Sequence, residues 1–459
     1  MYQIDFHKPE YLHFIGIGGI SMSGLAEILL DAGFRISGSD AKASPLTKSL
    51  EDKGATIMIG QAAGNINADI NCVVYTAAIH PDNPEWRAAH EMGIPMLTRA
   101  ELLGELMRNY DTPIAVAGTH GKTTTTSMAS HVLMQADMDP TISVGGILPS
   151  IGGNIRIGKS QTFITEACEY TNSYHSFLPK IEIILNVDAD HLDFFKDIDD
   201  IAASFHKFAQ ILPEDGTLIV SKDFPTYHAV VDGLNCNLVT CSLKEDADYT
   251  AADIAFDKNG FASFTCVERG TAIGSFSLKV PGIHNVSNAL TVIALARLLK
   301  IDAETIRKGI LSYTGTDRRF EYKGSLQGAT IIDDYAHHPT EIAATLKAAA
   351  NYPHKKLWVA FQPHTYTRTK ALLPEFAEAL SLADHVVLAK IYPARETDTL
   401  GISSDDLRKL IEERGTKAEY YDTFPALEEY MKSQLSEGDL LITMGAGNIV
   451  EVGEDLLKD

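Results

Sequence analysis

The 459-residue sequence predicts an α/β protein of about three domains, and three observations carry that expectation. Length sets the domain number, at about 100–200 residues per domain. Two glycine loops, Gly16–Gly19 and Gly118–Gly121, each follow an apolar strand-like run and open a helix-like one. After Thr316 one grammar recurs four times: a buried-type strand, a polar motif and usually a helix. Strand–loop–helix units of this kind build parallel sheets covered by helices.

The first segment, residues 1–110, opens with a strand at Tyr11–Ile15 that runs into Gly16, Gly18 and Gly19. A helix through Leu25, Ile28, Leu29 and Leu30 should end near Gly33. A second strand, Phe34–Ser39, then delivers Asp40. Glycines after a strand with an acid about 20 residues on approach the dinucleotide-binding fingerprint. The pattern departs at its third glycine, where Ser21 stands. Strands at Cys72–Ala78 and Ile94–Leu97, around a helical Glu85–Met92, complete the domain, and Asn109–Pro113 reads as a linker.

The second segment, 111–315, begins with the most informative run of the chain, Ile114-Ala-Val-Ala-Gly-Thr-His-Gly-Lys-Thr-Thr124. Backbone N–H groups freed by glycine turn onto phosphate oxygens, the helix N-terminus adds positive potential, Lys122 reaches the outer phosphates and Thr123 ligates Mg²⁺. Gly118, Thr119, His120, Gly121, Lys122, Thr123 and Thr124 are the candidate nucleotide contacts. The usual first glycine of the signature is replaced by Val116. Two further strands end in chemistry: Phe163–Glu166, and Ile181–Val187 leading to Asp188-Ala-Asp-His-Leu-Asp193. Carboxylate and imidazole at strand ends beside a phosphate loop suit a Mg²⁺–nucleotide site. Residues 215–281 alternate in short runs and read as an antiparallel addition, with a helix after Pro281.

In the third segment, 316–459, the strands are Thr330–Ile332 into Asp333–Pro339, Leu357–Phe361 into Gln362–Arg368, Val386–Lys390 into Ile391–Glu396, and Leu440–Met444 into Gly445–Asn448. The carboxyl ends of parallel strands share one edge, so these motifs should gather in one cleft.

Composition narrows the function. A net charge of −22 leaves no basic surplus for a nucleic acid or an anionic membrane. An apolar share of 45% suits packed domains. Five cysteines without a Cys-x-x-Cys pair suggest reduced thiols and a cytoplasmic setting. Neither a signal peptide nor a membrane-length apolar run is evident, so no membrane insertion is expected. Oligomeric state leaves no mark on the sequence.

Nine motifs in fixed order make the chain resemble the Mur ligase family: His13–Gly19, Gly38-Ser-Asp40, Gly118–Thr124, Asp190-His191, Gly282-Ile-His-Asn285, Arg318-Arg-Phe320, Asp334–Glu341, Phe361-Gln-Pro-His364 and Gly445-Ala-Gly447. The resemblance implies a Rossmann-like N-terminal domain for a UDP-sugar, a central P-loop ATPase with a small antiparallel part, and a Rossmann-like C-terminal domain for an amino acid. It implies ATP and Mg²⁺ as cofactors, and UDP-N-acetylmuramate and L-alanine as substrates joined through an acyl phosphate, a step of peptidoglycan precursor synthesis. By the same resemblance, Lys122 and Thr123 hold phosphates and the first Mg²⁺, with Glu166 and His191 as metal ligands. Asn285 and Asn288 face adenine, while Arg319 and Asp333 reach phosphate or ribose. His337, His364 and Arg368 take the amino acid, with His337 and Arg368 counted beside Lys122, Glu166 and His191 as catalytic. Gly18, Gly19, Ser21, Ser23, Ser39 and Asp40 take the UDP-sugar.

Departures from the family pattern are Cys168, where an acid is common, and Phe205-His206, where many relatives outside the alanine-adding branch carry a modified lysine. A ligase attaching a recycled peptide to the same sugar nucleotide is the nearest rival. A nicotinamide dehydrogenase would leave the phosphate loop idle, and a nonenzymatic nucleotide switch would leave the third-segment motifs idle.

Overall fold

The computed structural model describes residues 2–192, 194–394 and 396–458. Among these residues the strands form three sheets, each with its own helical cover. The first is parallel throughout, in the order Thr56–Ile59, Arg35–Asp40, Tyr11–Ile15, Cys72–Tyr75, Met96–Thr98. Its order reverses beside Tyr11–Ile15, which places the Gly16–Gly19 loop at the switch point where α/β sheets bind ligands. The three inner strands are short and largely buried, as expected when helices cover both faces.

The second sheet runs Thr271–Pro281, Phe261–Glu268, Tyr249–Phe256, Asn237–Ser242, Thr217–Ser221, Ile181–Ile184, Thr112–Ala117, Thr162–Glu166, Thr141–Leu148, Gly153–Arg156. One part of the 215–281 expectation is corrected here. Thr217–Ser221 and Asn237–Ser242 continue the parallel sheet, and only the ribbon from Tyr249 to Pro281 is antiparallel. Alternation reports which face of a strand is buried, not which way its neighbour runs, so it could not separate the two. Helices Lys122–Gln135 and Ile283–Leu298 pack side by side against this sheet. Both are buried on nearly every side, which explains their weak polar stripe.

The third sheet has the order Glu321–Leu326, Ala329–Asp334, Leu440–Met444, Leu357–Phe361, His385–Ala389, Lys417–Tyr421, parallel except for the hairpin formed by its first two strands. The four motif-bearing strands thus lie side by side. Their carboxyl ends face the phosphate loop of the second sheet, and the seam between these two parts of the chain carries most of the chemistry. No helix among the described residues is long and apolar enough to cross a membrane.

Candidate active site

The strand Thr112–Ala117 lies between Ile181–Ile184 and Thr162–Glu166, so the acids that end its neighbours converge on the loop that it feeds. Gly121 sits at φ 85° at the helix N-cap, and a Cβ there would stand 3.0 Å from Asn288 Oδ1. Only glycine fits that turn and that approach. Lys122 does not project into open phosphate space, as the sequence led one to expect. Its ammonium donates to Gly118 O at 2.5 Å, Thr119 O at 3.0 Å and Glu169 Oε2 at 2.9 Å. Burial works against its charge, and the Glu169 carboxylate leads the groups that outweigh burial and raise its pKa.

Glu169, next to Cys168 and not among the candidate residues, proves central. It is 1% exposed, and its Oε1 is a buried oxygen with no hydrogen-bond donor. His191 Nε2 stands 3.8 Å from that oxygen, with the Tyr170 ring 4.6 Å from the imidazole. Thr123 Oγ1 donates to Glu166 Oε2 at 3.1 Å, and Glu166 Oε1 accepts the Gly145 N–H at 2.6 Å. Burial raises the Glu166 pKa. A threonine hydroxyl and buried carboxylate oxygens, one of them unsatisfied, form a hard-oxygen donor set that fits Mg²⁺. His191 stands at its edge. Asp193, also in this motif, lies outside the described residues.

A cavity of about 400 Å³ adjoins the loop, lined by His120, Gly121, Asn285, Asn288, Arg319 and Asp334 among others. Asn285 donates to Pro281 O at 2.7 Å and accepts from Asn288 at 3.1 Å, which holds both amides in the wall. Thr124 lines the same space. Arg319 lies over the Tyr335 ring, 5.1 Å from its centre. Asp333 is turned away from this cavity, contrary to expectation. It is fully buried, accepts from Arg318 Nε at 3.1 Å and from the Thr443 hydroxyl at 2.7 Å, and serves the sheet. Consecutive strand residues face opposite sides, so Asp334 is the aspartate that reaches the cavity. Burial pushes its pKa up to about 6.

On the other side of the seam a cavity of about 640 Å³ is lined by Tyr170, Asp190, His191, His364, Arg368 and Glu396, among others. Arg368 does not stand free there. Its Nη2 and Nε both donate to Asp190 Oδ1, at 2.8 and 3.1 Å, and its Nη1 lies 3.2 Å from His364 Nδ1. Although burial opposes ionisation, Arg368 leads the cations that hold Asp190 well below the ordinary carboxylate range. Burial first, and Arg368 second, push His364 down to about 4. Burial also lowers His337 to about 4 although Glu341 is 3.3 Å away. Both imidazoles are therefore neutral at pH 7 and weaker bases than their ordinary values suggested. Arg395, in the neighbouring motif, is outside the described residues.

At the first glycine loop, the Gly18 N–H donates to Asp40 Oδ2 at 2.8 Å, and a Cβ on Gly18 would fall 2.8 Å from the same oxygen. Gly19 caps the helix Ile20–Asp31. Ser21 Oγ accepts from Arg99 Nη1 at 3.1 Å. Ser23 bonds its own helix at Ile20 O, 3.0 Å, and Ser39 is fully buried and donates to Glu85 at 2.5 Å. Gly18, Gly19, Ser21 and Asp40 thus remain at the loop surface, while Ser23 and Ser39 shape it from behind. Arg99 was missed because an arginine after Thr98 reads as an ordinary helix start. Burial lowers its pKa.

These features define a three-part α/β protein built around a phosphate loop at a domain seam. Three family models match the chain: the Mur ligase family catalytic domain over residues 11–111, the Mur ligase middle domain over 116–296, and the Mur ligase glutamate ligase domain over 318–447. The chain belongs to the Mur ligase family. It is 58% identical over 459 residues, all of both chains, to a UDP-N-acetylmuramate–L-alanine ligase of Lachnospira eligens. It is 57% identical over 458 residues, again all of both chains, to one of Agathobacter rectalis. Among solved structures, the UDP-N-acetylmuramate–alanine ligase of Thermotoga maritima superposes with a TM-score of 0.80 at 29% identity, covering 98% of each chain.

Proposed function

We propose that this chain joins L-alanine to UDP-N-acetylmuramate with cleavage of ATP to ADP and phosphate. The observation that carries this reading is full-length identity above half to two ligases of that activity, on a chain whose phosphate loop and Arg368–Asp190 cleft face each other across one seam. A carboxylate is a poor electrophile. In the first step the lactoyl carboxylate oxygen bonds to the γ-phosphorus and the bond to ADP breaks. In the second the alanine ammonium loses one proton, its nitrogen bonds to the acyl carbon, the carbon–oxygen bond to phosphate breaks, and the nitrogen's second surplus proton leaves to the departing phosphate or to water. Lys122 leaves Glu169 and the loop carbonyls to follow the migrating phosphoryl charge. Thr123, Glu166 and His191, with Glu169, would hold Mg²⁺, which supplies charge neutralisation for the triphosphate. Asn285, Asn288 and Arg319 line the nucleotide cavity, and the Gly18 loop with Ser21, Arg99 and Asp40 receives the diphosphate of the UDP-sugar. Arg368 exchanges Asp190 for the alanine carboxylate, and His337 or His364 takes the ammonium proton. The domain limits 1–110, 111–315 and 316–459 follow this division of labour, which sets the work in the cytoplasm.

A ligase that attaches a recycled peptide would use the same donor side. Purified protein with ATP, Mg²⁺ and UDP-N-acetylmuramate, offered L-alanine or a tripeptide in parallel, separates the two by phosphate release and product mass. Turnover with the tripeptide alone would replace the alanine reading.

A further inference from the structure

His120 and Asp188 stand on the phosphate-loop side of the seam, and His338 stands opposite them at the start of helix Pro339–Ala349. His120 Nε2 is 3.2 Å from Asp188 Oδ2, which is 4.0 Å from His338 Nδ1. One ligand atom from each of the three residues lies within 4.8 Å of the others, the cluster of this kind found among the described residues. We propose that His120, Asp188 and His338 bind a divalent transition ion of the Zn²⁺ type, at a place separate from the Mg²⁺ position, and that this ion ties the middle and third domains together.

The geometry behind each ligand supports this more than the cluster alone. His120 Nδ1 faces Glu341 Oε1 at 3.1 Å, so its N–H points at a carboxylate and Nε2 is left for a metal. His338 Nε2 donates to Ala189 O at 3.1 Å, which fixes the tautomer and leaves the Nδ1 lone pair toward Asp188. That lone pair otherwise takes only the long 3.3 Å contact from the Thr340 N–H. Thr340 Oγ1 donates to Asp188 Oδ2 at 2.6 Å and orients the carboxylate. Metal-binding histidines depend on such outer partners, which aim the ring and raise its basicity. All three ligands here have one.

Donor chemistry selects the ion. Two imidazoles and one carboxylate suit Zn²⁺, Co²⁺ or Ni²⁺, whereas Mg²⁺ prefers the oxygen set at Thr123 and Glu166. Ligand atoms about 2.0–2.2 Å from a tetrahedral Zn²⁺ lie roughly 3.4 Å apart, so closing the triad takes shifts of an ångström or so. His120 and Asp188 also border the 400 Å³ cavity, which leaves room for a water or a phosphate oxygen as the fourth ligand. An ion bound here takes the Nε2 lone pair of a neutral His120, so its binding weakens as pH falls. Because the ligands come from both sides, the ion holds the two domains in this arrangement and slows turnover.

Co²⁺ is the probe, titrated into the full chain in excess Mg²⁺. The expected result is visible absorption of histidine-bound Co²⁺ saturating at one equivalent, unchanged in His191→Asn. His338→Asn, which keeps an N-cap, and His120→Asn should each weaken it by more than tenfold, and Glu341→Gln by about tenfold or more. X-ray absorption of the Zn²⁺-loaded wild type should show two imidazoles, a readout that needs no variant to fold. Histidine-type absorption absent from wild type, retained in a folded His338→Asn, or abolished in His191→Asn would overturn the site, as would fewer than two imidazoles on Zn²⁺.

Discussion

Lys122 illustrates how a single side chain serves two states. In the present one it neutralises a buried Glu169, and the proposed chemistry requires it to leave that partner for the γ-phosphate. Lys122→Ala should therefore lower kcat by on the order of 3–4 kcal/mol of transition-state stabilisation and also destabilise the fold, because Glu169 is left charged and buried. Adding Glu169→Gln should restore the melting temperature without restoring activity. A double variant that regains more than about a tenth of wild-type kcat would make the pair structural, since that leaves a loss below roughly 1.4 kcal/mol. Arg368 poses the same question on the acceptor side. Its planar fork is now on Asp190, and a carboxylate ligand would take it bidentately. Arg368→Ala should raise KM for L-alanine by more than about tenfold while sparing acyl-phosphate formation, a loss of about 1.4 kcal/mol or more. Unchanged KM, with phosphoryl transfer intact, would remove Arg368 from the carboxylate role. Residue types at this scale were legible in the sequence, but their present partners were not. Lys122–Glu169 and Arg368–Asp190 join residues 47 and 178 positions apart, and no local pattern encodes such pairs.

Among the elements, helix Pro84–Glu91 shows a motif hidden by its own ordinariness. Asn83 caps it and Pro84 opens it, so Asn-Pro-Glu reads as helix-start chemistry and nothing more. Yet Glu85 is fully buried and accepts from Ser39, from Asn65 and, at 3.4 Å, from the Ala62 N–H, with His13 Nε2 3.6 Å away. It locks the strand that carries Asp40 to the loop after Thr56–Ile59. Burial works against ionisation, but His13, Ser39 and Asn65 together hold the Glu85 pKa below 4.5. Since the folded value is the lower one, this stabilisation is present above pH 4.5 and is lost as pH falls through the depressed value. Glu85→Ala should cost about 3–5 kcal/mol in urea unfolding. Glu85→Gln should flatten acid destabilisation below about pH 4.5 relative to wild type. An unchanged acid limb would show that Glu85 carries no linked proton. The glycine loop that this network supports should bind UDP-N-acetylmuramate and not NAD, because a helix N-terminus accepts either diphosphate and only the sugar nucleotide brings a carboxylate to the seam. Calorimetric titration with both ligands checks this, and tight NAD binding without a response to the sugar nucleotide would reverse it. The loop, its strand and Asp40 were plain in the sequence, because strand–glycine–helix is a local signal. The parallel run of Thr217–Ser221 and Asn237–Ser242 was not, because strand direction is settled by neighbours distant in the chain.

For the whole molecule, the second and third sheets turn the ends of their strands toward one seam. Polar contacts that cross it include His120 to Glu341, Thr340 to Asp188, His338 to Ala189 O, and Arg368 to Asp190. Each joins groups on the phosphate-loop side to groups on the third sheet, and several of them line the two cavities where substrates would sit. Substrates that enter these cavities must therefore displace some of these bonds and supply replacements. ATP and the sugar nucleotide bring a triphosphate, a diphosphate and a carboxylate, against which Lys122 and Arg319 can close, while Arg368 is kept for the alanine carboxylate. An acyl phosphate exposed to water hydrolyses, so closure over the bound pair protects the intermediate as well as aligning it. Small-angle scattering should show a lower radius of gyration with a nonhydrolysable ATP analogue and UDP-N-acetylmuramate together than with either alone or with none. Asp188→Asn, which weakens the seam without touching Lys122, should broaden the ligand-free distance distribution and raise phosphate release that is not coupled to alanine. Identical scattering profiles in protein shown by calorimetry to hold both ligands would leave closure without support, and fully coupled phosphate release in Asp188→Asn would mean that the seam does not guard the intermediate.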